Sequence, residues 1–338
     1  MKRVKDIIKS ICIILFVLGY VTSTLYNGNN TLFVNIIDFI SKPIVYPILL
    51  FLIGMSIYED NYSTKKLLKY SFYSFIISLF INIFCFAIIF FIQKENALVL
   101  EYLLKTNIFT FISLAYLFFI LVKKLELESQ TLWGLGLLFS IVNTVLTVKY
   151  QFNSNVVLGS LTSIIYSSAN YSSFSFLAWI IFPITGYIYS QIIENKKNKF
   201  YFFNLLISLT VYIAMLCYSK YVVNGGPLID FNNPHTFYHM NVYGGLMNIS
   251  LCVFLYSLSY FVSKKIPSKI NRHIKRWSKN IIIIYLVSLL FINYIFLLIL
   301  GDLIKMNIVE TLLLFALVFI ISDVISYIIN KKFINKQD

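Results

Sequence analysis

Charged side chains are scarce in this chain. They make up 12% of its 338 residues, about half the share found in soluble globular domains. Hydrophobic residues make up 59%, and the mean hydropathy is +0.80. Apolar stretches of about 20 residues, the length that a helix needs to cross a bilayer, recur along the chain, and the short alternating segments of a membrane β-barrel are missing from it. The sequence therefore predicts an all-α, polytopic integral membrane protein.

Cysteine is also rare, and its pattern argues against two kinds of site. The four cysteines stand alone inside apolar stretches, with no CxxC pair among them. Metal centres and disulfide frameworks use clustered or regularly spaced cysteines. We therefore expect inert thiols in the helical core. They are Cys12, Cys85, Cys217 and Cys252.

The apolar stretches predict about ten transmembrane helices in a single transmembrane domain that covers residues 1–338. No polar stretch is long enough for a separate soluble domain. The predicted spans are 7–26, 36–57, 68–92, 107–122, 131–148, 175–193, 201–222, 241–263, 280–300 and 308–330.

Basic residues gather in alternate connections between these spans. An excess of Lys and Arg marks the cytoplasmic side of a membrane protein, so both termini are predicted to be cytoplasmic. The net charge of +14 is then explained by topology and by attraction to anionic membrane lipids, and not by nucleic-acid binding. The Ile-, Asn- and Lys-rich composition favours a bacterial plasma membrane. The basic segments are the N-terminus, 65–69, 123–124, 196–199, 264–279 and 331–336.

Two long polar connections, 149–174 and 223–240, are external in this topology. The first is rich in Ser, Asn and Tyr, whose side chains can hydrogen-bond and stack on sugars. The alternative is a solvated loop that dips into the lipid headgroups.

The second external connection contains two of the three histidines, in "DFNNPHTFYHMN". Asn232 or Asn233 can cap a helix that begins near Pro234, and His235 and His239 would then lie one turn apart on one face. The positive end of that helix suits an anion or a developing oxyanion, and the ordinary histidine pKa of about 6.5 suits a general base. We name His239 and His235 as candidate catalytic residues and Asn233 as a substrate-orienting residue. The alternatives are two interfacial aromatic side chains and, with no third ligand nearby, a zinc site.

Ionisable residues inside the predicted spans are functional candidates, because burying a charge in lipid is costly. Asp38 and Lys42 stand four apart and can pair on one helical face, where we expect them to bind or orient a substrate. Pro43 and Pro47 interrupt helical hydrogen bonding beside them. The alternative is that this stretch is a loop or headgroup segment and that the span begins near Pro43.

Asp323, in the last span, is a second acid predicted to be buried. Arg276 and Lys279 are its candidate partners. Several spans also contain asparagine, whose amide commonly joins transmembrane helices through hydrogen bonds. These are Asn82, Asn143, Asn204, Asn248 and Asn293.

Five short segments resemble the membrane acyltransferase superfamily, which includes the heparan-α-glucosaminide N-acetyltransferases and the bacterial O-acyltransferases of surface polysaccharides. "DIIKSIC" has Asp6, Lys9 and Ser10 where the family has an Asp followed by Arg-Gly. "YPILLFLIG" has Pro47 and Gly54 at the spacing of the family's second helix.

The other three segments follow in the family's order. "WIIFPITGYIY" resembles its aromatic-Pro-x-x-Gly-Tyr helix through Pro183 and Gly186. "NPHTFYHMNVYGG" resembles the Pro-Pro-Ser segment that precedes a helix with a glycine. "KNIIIIYLVS" resembles the Asn-Ser-x-x-x-Tyr stretch through Asn280 and Tyr285.

The resemblance implies an enzyme that moves an acyl group, with acetyl as the expected one, from cytoplasmic acyl-CoA to an external glycan or lipid-linked acceptor. The family's histidine at the outer end of the first helix has no counterpart in "VLGYVTSTLYNGNN", so the base would be His239 or His235. Tyr285 and the pair Asp38–Lys42 would orient substrates, and no metal is expected. Cytoplasmic cations would attract the anionic donor. These are Lys9, Lys65, Lys66, Arg272 and Arg276.

The alternative function is a transporter or flippase for lipid-linked or acylated cell-surface material, or an accessory subunit, without catalysis. The scarcity of buried charge argues against a proton-coupled pump. Binding of coenzyme A would distinguish the enzyme from the transporter, since a flippase does not need it.

Overall fold

The computed structural model of the chain is built from helices. It describes residues 2–26, 28, 30–88, 99, 102–149, 156–167, 173–221, 238, 240–294 and 306–334. Within these ranges no strand occurs, although the backbones of Tyr26 and Met306 meet in an isolated bridge. The predicted all-α membrane fold is therefore confirmed.

Thirteen α-helices can be bounded in the described ranges. Three of them continue into π-helical turns, α3 at Ile81–Ala87, α12 at 291–294 and α13 at Asn330–Ile334. The helices are α1 (Lys2–Leu25), α2 (Thr31–Glu59), α3 (Thr64–Phe80), α4 (Ile108–Lys124), α5 (Ser129–Lys149), α6 (Val156–Ile165), α7 (Phe176–Trp179), α8 (Ile181–Ile193), α9 (Asn198–Tyr221), α10 (Val242–Lys265), α11 (Ser268–Lys279), α12 (Ile281–Leu290) and α13 (Ile308–Ile329).

Polar side chains cap the first turns of α4 and α13. The Asn107 side chain accepts from the backbone N–H groups of Phe109 and Thr110 at the start of α4. Asn307 and Glu310 form the equivalent reciprocal box at the start of α13. Such caps satisfy N–H groups that have no partner inside the helix, and so the chain can begin a helix sharply after each polar connection.

Eight helices in the described ranges are long and apolar enough to cross a membrane, or nine if the bent pair α11–α12 counts as one. Each predicted span contains one of them or, for 107–122, the 17-residue helix α4, which is at the short end of the usual length. The span predicted at 175–193 is broken between α7 and α8, because Pro183 has no N–H to donate to the preceding turn.

The helices form two compact units. Unit 1 comprises residues 1–45 and 255–338, and unit 2 comprises residues 46–254. The long helices α2 and α10 contribute residues to both.

Unit 1 is built on α1, which packs against α11, α12 and α13. The ring centroids of Phe16 and Tyr285 lie 4.3 Å apart, and the Tyr20 hydroxyl donates to Asn293 Oδ1 at 2.7 Å. The later residue of α1 contacts the later residue of α12, so the two helices run parallel. The bridge beside Met306 sets the start of α13 against the end of α1, so α13 runs antiparallel to α1.

In unit 2, α3 packs along α4, and α5 packs along α7 and α8. Pairs of small polar side chains join α3 to α4: the hydroxyls of Ser71 and Ser113 lie 3.0 Å apart, and those of Ser78 and Thr110 lie 2.6 Å apart. In a membrane, where lipid is as apolar as the helix surfaces, small residues and interhelical hydrogen bonds carry much of the association.

Two predictions are corrected by the structure. The connection predicted at 149–174 contains a helix, α6, of 10 residues, because its run "VVLGSLTSII" is apolar but too short to span a bilayer. Cys217 is exposed and not in the core, because α9 is one of the least buried helices and turns much of its surface outward. The other three cysteines are buried as predicted.

Candidate functional site

The candidate catalytic residues His235 and His239, and the predicted orienting residue Asn233, lie outside the described residues. Their described neighbours are held inside unit 2. Trp179 Nε1 donates to the carbonyl of Tyr238 at 3.1 Å, and Asn143 Nδ2 donates to the carbonyl of Met240 at 3.2 Å. The backbone just before α10 is thus tied to α5 and α7.

Aromatic side chains surround the hydrogen-bonded backbone of Tyr238 and Met240, which we call the anchor. We define this aromatic cluster as Tyr46, Phe174, Trp179 and Tyr238. The Phe174 ring lies 4.8 Å from Trp179, 5.0 Å from Tyr46 and 5.3 Å from Tyr238 between centroids. Trp179 is fully buried, whereas Tyr46 and Tyr238 are partly exposed. The tilted and edge-to-face geometry is the favoured one for aromatic rings, so the cluster forms a packed wall with two accessible rings.

A buried polar seam continues from the cluster along α5, toward the segment before α7 on one side and toward α10 on the other. Asn143 Oδ1 accepts from the Ser167 backbone at 2.9 Å, and the Ser167 hydroxyl lies 2.8 Å from that of Ser175. Ser140 Oγ and Asn248 Oδ1 are buried, and neither has a hydrogen-bond partner in the part of the chain that the structure describes. Buried polar atoms normally find a partner, so each can take a hydrogen bond from water or from a bound molecule.

The segments that carry Gly54 and Gly186 cross in direct backbone contact in unit 2. A Cβ atom on Gly54 would overlap the carbonyl oxygen of Pro183, and a Cβ atom on Gly186 would overlap that of Phe51. The contact is reciprocal, so each glycine lies against the backbone beside the other. Only glycine permits this approach between α2 and α8, as in other close crossings of membrane helices.

The Asp38–Lys42 ion pair lies within unit 1. Lys42 Nζ donates to Asp38 Oδ2 at 2.7 Å, and Asp38 is 8% exposed. The pairing is confirmed, and the loop alternative is wrong, because α2 is continuous from Thr31 through Pro43 and Pro47. On the same face, Ser41 Oγ would lie 2.7 Å from a Cβ atom on Gly19 of α1. The substrate-orienting role of the pair stays a prediction.

At the other end of α1, a polar network joins three helices of unit 1. Ser278 Oγ donates to Asp6 Oδ1 at 2.6 Å, and Ser10 Oγ donates to the carbonyl of Ile274 at 2.8 Å. Arg276 forms an ion pair with Asp323 of α13, which confirms one of the two predicted partners. The network fixes α11 across the ends of α1 and α13.

Asn280 lies at the corner between α11 and α12 and is buried. Its Oδ1 accepts from Asn330 Nδ2 at 2.7 Å, while its Nδ2 donates to Ser326 Oγ at 3.4 Å. Tyr285, one turn and a half further, packs its ring on Phe16. Both residues that the sequence singled out here therefore contact neighbouring helices, Asn280 on α13 and Tyr285 on α1.

The cations predicted to attract the acyl donor have different surroundings. Lys65 and Arg272 are exposed, Lys9 is partly buried, and Arg276 is bound to Asp323. Lys66 places its Nζ 3.9 Å from the ring centroid of Tyr62.

The Tyr62 ring beside Lys66 stays uncharged. Burial and the nearby Asp60 carboxylate raise the pKa of the Tyr62 hydroxyl above its ordinary value. A neutral phenol keeps an electron-rich face for the Lys66 ammonium. The Lys66 ammonium is therefore stabilised locally by the Tyr62 ring, and its predicted role in attracting the acyl donor stays a prediction.

Sequence reasoning missed the most constrained residues near this anchor. Trp179, Ser167 and Ser175 were part of an apolar span or a Ser-rich connection and showed no chemical motif. The interpretation of buried asparagines as helix-joining amides did find Asn143, and it also holds for Asn82, which accepts from Asn107 Nδ2 at 2.8 Å. A single sequence does not indicate with which distant backbone carbonyl such an amide forms its hydrogen bond.

Comparisons with known proteins identify no relative: no family model matches the chain, and neither a curated protein nor a solved structure matches it.

Proposed function

We propose that this protein is a membrane-embedded acyltransferase that moves an acyl group, in the simplest case acetyl, from cytoplasmic acyl-CoA to an external glycan or lipid-linked acceptor. The observation that carries the proposal is that segments resembling the acyltransferase superfamily lie beside each other in pairs. Asp6 of the first segment meets Ser278, two residues before Asn280. Gly54 of the second meets the segment that holds Gly186.

The chemistry assigned to the external side is acyl transfer to a hydroxyl or an amine. His239 or His235 removes the acceptor's proton as the acceptor attacks the thioester carbonyl. The tetrahedral oxyanion forms and collapses with loss of the coenzyme A thiolate, which is protonated on release. The packed wall of the aromatic cluster and the partly exposed rings of Tyr46 and Tyr238 suit stacking of a sugar acceptor beside the anchored backbone of Tyr238 and Met240.

The cytoplasmic side would receive the donor. Lys9, Lys65 and Arg272 contribute positive charge there that would raise the local concentration of a polyanionic coenzyme. Arg276 forms an ion pair with Asp323. We therefore assign it a structural role, fixing α11 to α13, in preference to a role in donor binding. In this proposal the ion pair Asp38–Lys42 orients a substrate group inside the membrane, where a charge is otherwise costly.

The experiment uses the full chain in vesicles, with labelled acetyl-CoA on the cytoplasmic face and a mixed glycan extract on the other. Label should appear in the glycan with the wild type and fall by about 100-fold or more with His239→Ala or His235→Ala. His273→Ala is the matched control, because this third histidine is exposed on α11, and it should leave transfer unchanged.

A transporter or flippase remains the competing function, and coenzyme A binding separates the two. Isothermal titration of the detergent-solubilised protein with coenzyme A should show a saturable site. If neither binding nor transfer is found, the acyltransferase proposal fails and the transporter is favoured.

A further inference from the structure

The helix α11 lies across the end of unit 1 and does not continue the direction of α12. The axes of Ser268–Lys279 and Ile281–Tyr294 differ by 69°. Since α12 runs parallel to α1, a predicted membrane span, α11 lies about 20° from the membrane plane for an upright α12. Its position at the N-terminal end of α1 and the C-terminal end of α13 places it on the predicted cytoplasmic side.

One side of α11 is held by the helices beneath it. Ile274 and Ser278 are buried, and the Ile274 carbonyl and the Ser278 hydroxyl hydrogen-bond to Ser10 and Asp6 of α1. Trp277 packs its ring on Phe319 of α13 at 5.3 Å between centroids. The side of α11 that faces α1 and α13 is therefore also the side that faces the membrane interior.

The opposite side of α11 is a basic face, which we define as Lys269, Arg272, Lys275 and Lys279. All four are exposed, and none forms an ion pair with any residue that the structure describes. Arg272, Lys275 and Lys279 follow at intervals of three and four residues and so share one helical face. On the apolar side, Ile270 is 54% exposed one turn before Ile274.

We propose that α11 is an interfacial helix whose basic face binds the phosphate groups of anionic phospholipids in the cytoplasmic leaflet. A helix with a basic face and an apolar face lies in the boundary between headgroups and acyl chains. Each cation near an anionic surface adds to the attraction. The exposed Ile270 favours a lipid over a soluble polyphosphate as the ligand. The acyl chains of a lipid would cover this apolar side chain, whereas a nucleotide bound from water would leave it exposed. This proposal does not depend on acyl transfer.

The test is native mass spectrometry of the full chain, solubilised with equal amounts of phosphatidylglycerol and phosphatidylcholine that have the same acyl chains. The wild type should retain phosphatidylglycerol in excess. The variant K269Q/R272Q/K275Q/K279Q should lower the ratio of retained phosphatidylglycerol to phosphatidylcholine by roughly tenfold or more. The single variants Arg272→Gln and Lys275→Gln should each lower it partly, which keeps the test valid if the fourfold variant does not fold.

The matched control removes the same charge from exposed lysines of unit 2 that have no proposed role, in K124Q/K196Q/K197Q/K199Q. The control should keep the wild-type lipid ratio, and Arg272→Lys should keep it as well. An equal loss in the control would overturn the proposal in favour of unspecific charge attraction.

A second arm adds coenzyme A to the same mixture. Retained phosphatidylglycerol should be unaffected. Displacement of phosphatidylglycerol by equimolar coenzyme A, with coenzyme A binding lost in the fourfold α11 variant, would assign the basic face to a nucleotide and contradict the lipid proposal.

Discussion

Single residues decide how closely the helices of unit 2 approach. Gly54 and Gly186 leave no room for a side chain, because each faces a backbone carbonyl that cannot move away without shifting its whole helix. A neighbouring side chain can change its rotamer, and a packed backbone cannot. These two glycines are therefore the positions at which the smallest change has the largest expected effect.

Gly54→Ala should lower the free energy of unfolding by about 2–3 kcal/mol, because the added methyl overlaps the Pro183 carbonyl. Gly134→Ala is the control, since nothing lies within 4 Å of its Cβ position, and alanine favours a helix interior. Equilibrium unfolding in detergent micelles measures both. Equal stabilities of the two variants would contradict the close crossing.

Arg276 and Asp323 form the second residue-scale determinant. Asp323 is mostly buried and Arg276 is partly exposed, so removing the arginine leaves a carboxylate with its desolvation uncompensated. Arg276→Gln should lower the free energy of unfolding by about 2 kcal/mol.

The matched control for this pair is Arg272→Gln, one turn earlier on α11, which should change stability by no more than about 0.5 kcal/mol. The double variant with Asp323→Asn should lose less than the sum of its single variants, because the two side chains act as one pair. Additive losses would show that the pair contributes nothing.

At the scale of elements, the packed helices α3 and α4 are joined by polar side chains at three levels. The hydroxyl pairs at Ser71 and Ser78 are followed by Asn107, which caps α4 and donates to Asn82 and to the Ser78 carbonyl. One side chain thus begins a helix and joins it to its neighbour.

Asn107→Ala should cost about 1–2 kcal/mol, because the cap and two interhelical hydrogen bonds are lost together. Ser71→Ala removes only its hydrogen bonds to Ser113 and should cost about 0.6 kcal/mol. Thermal unfolding monitored by circular dichroism ranks the two. A larger effect at Ser71 would mean that the cap does not determine the start of α4.

At the scale of the whole molecule, the directions of α1, α12 and α13 determine where the termini lie. Because α13 runs antiparallel to α1 within unit 1, the beginning of α1 and the end of α13 lie on the same side. The basic residues at both places, and those of α11, then gather at one end of unit 1, as the positive-inside rule requires.

Cysteine labelling tests this arrangement in a Cys217→Ser background, since Cys217 is exposed. Lys2→Cys and Lys331→Cys should both react with a membrane-impermeant maleimide only from the cytoplasmic side. Asn30→Cys, at the opposite end of α1, should react only from outside. Labelling of the first two from opposite sides would refute the topology.

Much of the fold follows from the sequence. The ten apolar spans each contain a helix of the structure, because backbone groups in lipid must be satisfied within a helix and hydropathy reports which segments lie there. Caps such as Asn107 and Asn307 follow equally from local chemistry. The helix α6 was not predicted, because a run of 10 apolar residues is too short to be recognised as a span.

The local ion pair Asp38–Lys42 could be predicted, because spacing alone brings residues four apart onto one helical face. Arg276 could only be named as one of two partners for Asp323, because the choice depends on the bend between α11 and α12. The contacts Ser278–Asp6 and Gly54–Pro183 join residues far apart in the chain. The periodic pattern of apolar residues does not predict such contacts.

The sequence by itself determined that the helices lie in a membrane, that the fold is all-α and about how many spans it has. These properties depend on hydropathy and charge summed over about 20 residues. Only the tertiary structure decided which buried polar groups pair, where two glycines let backbones touch, and which face of α11 is left basic and exposed. Those outcomes depend on the direction of each side chain within the packed helices, and packing in three dimensions sets that direction.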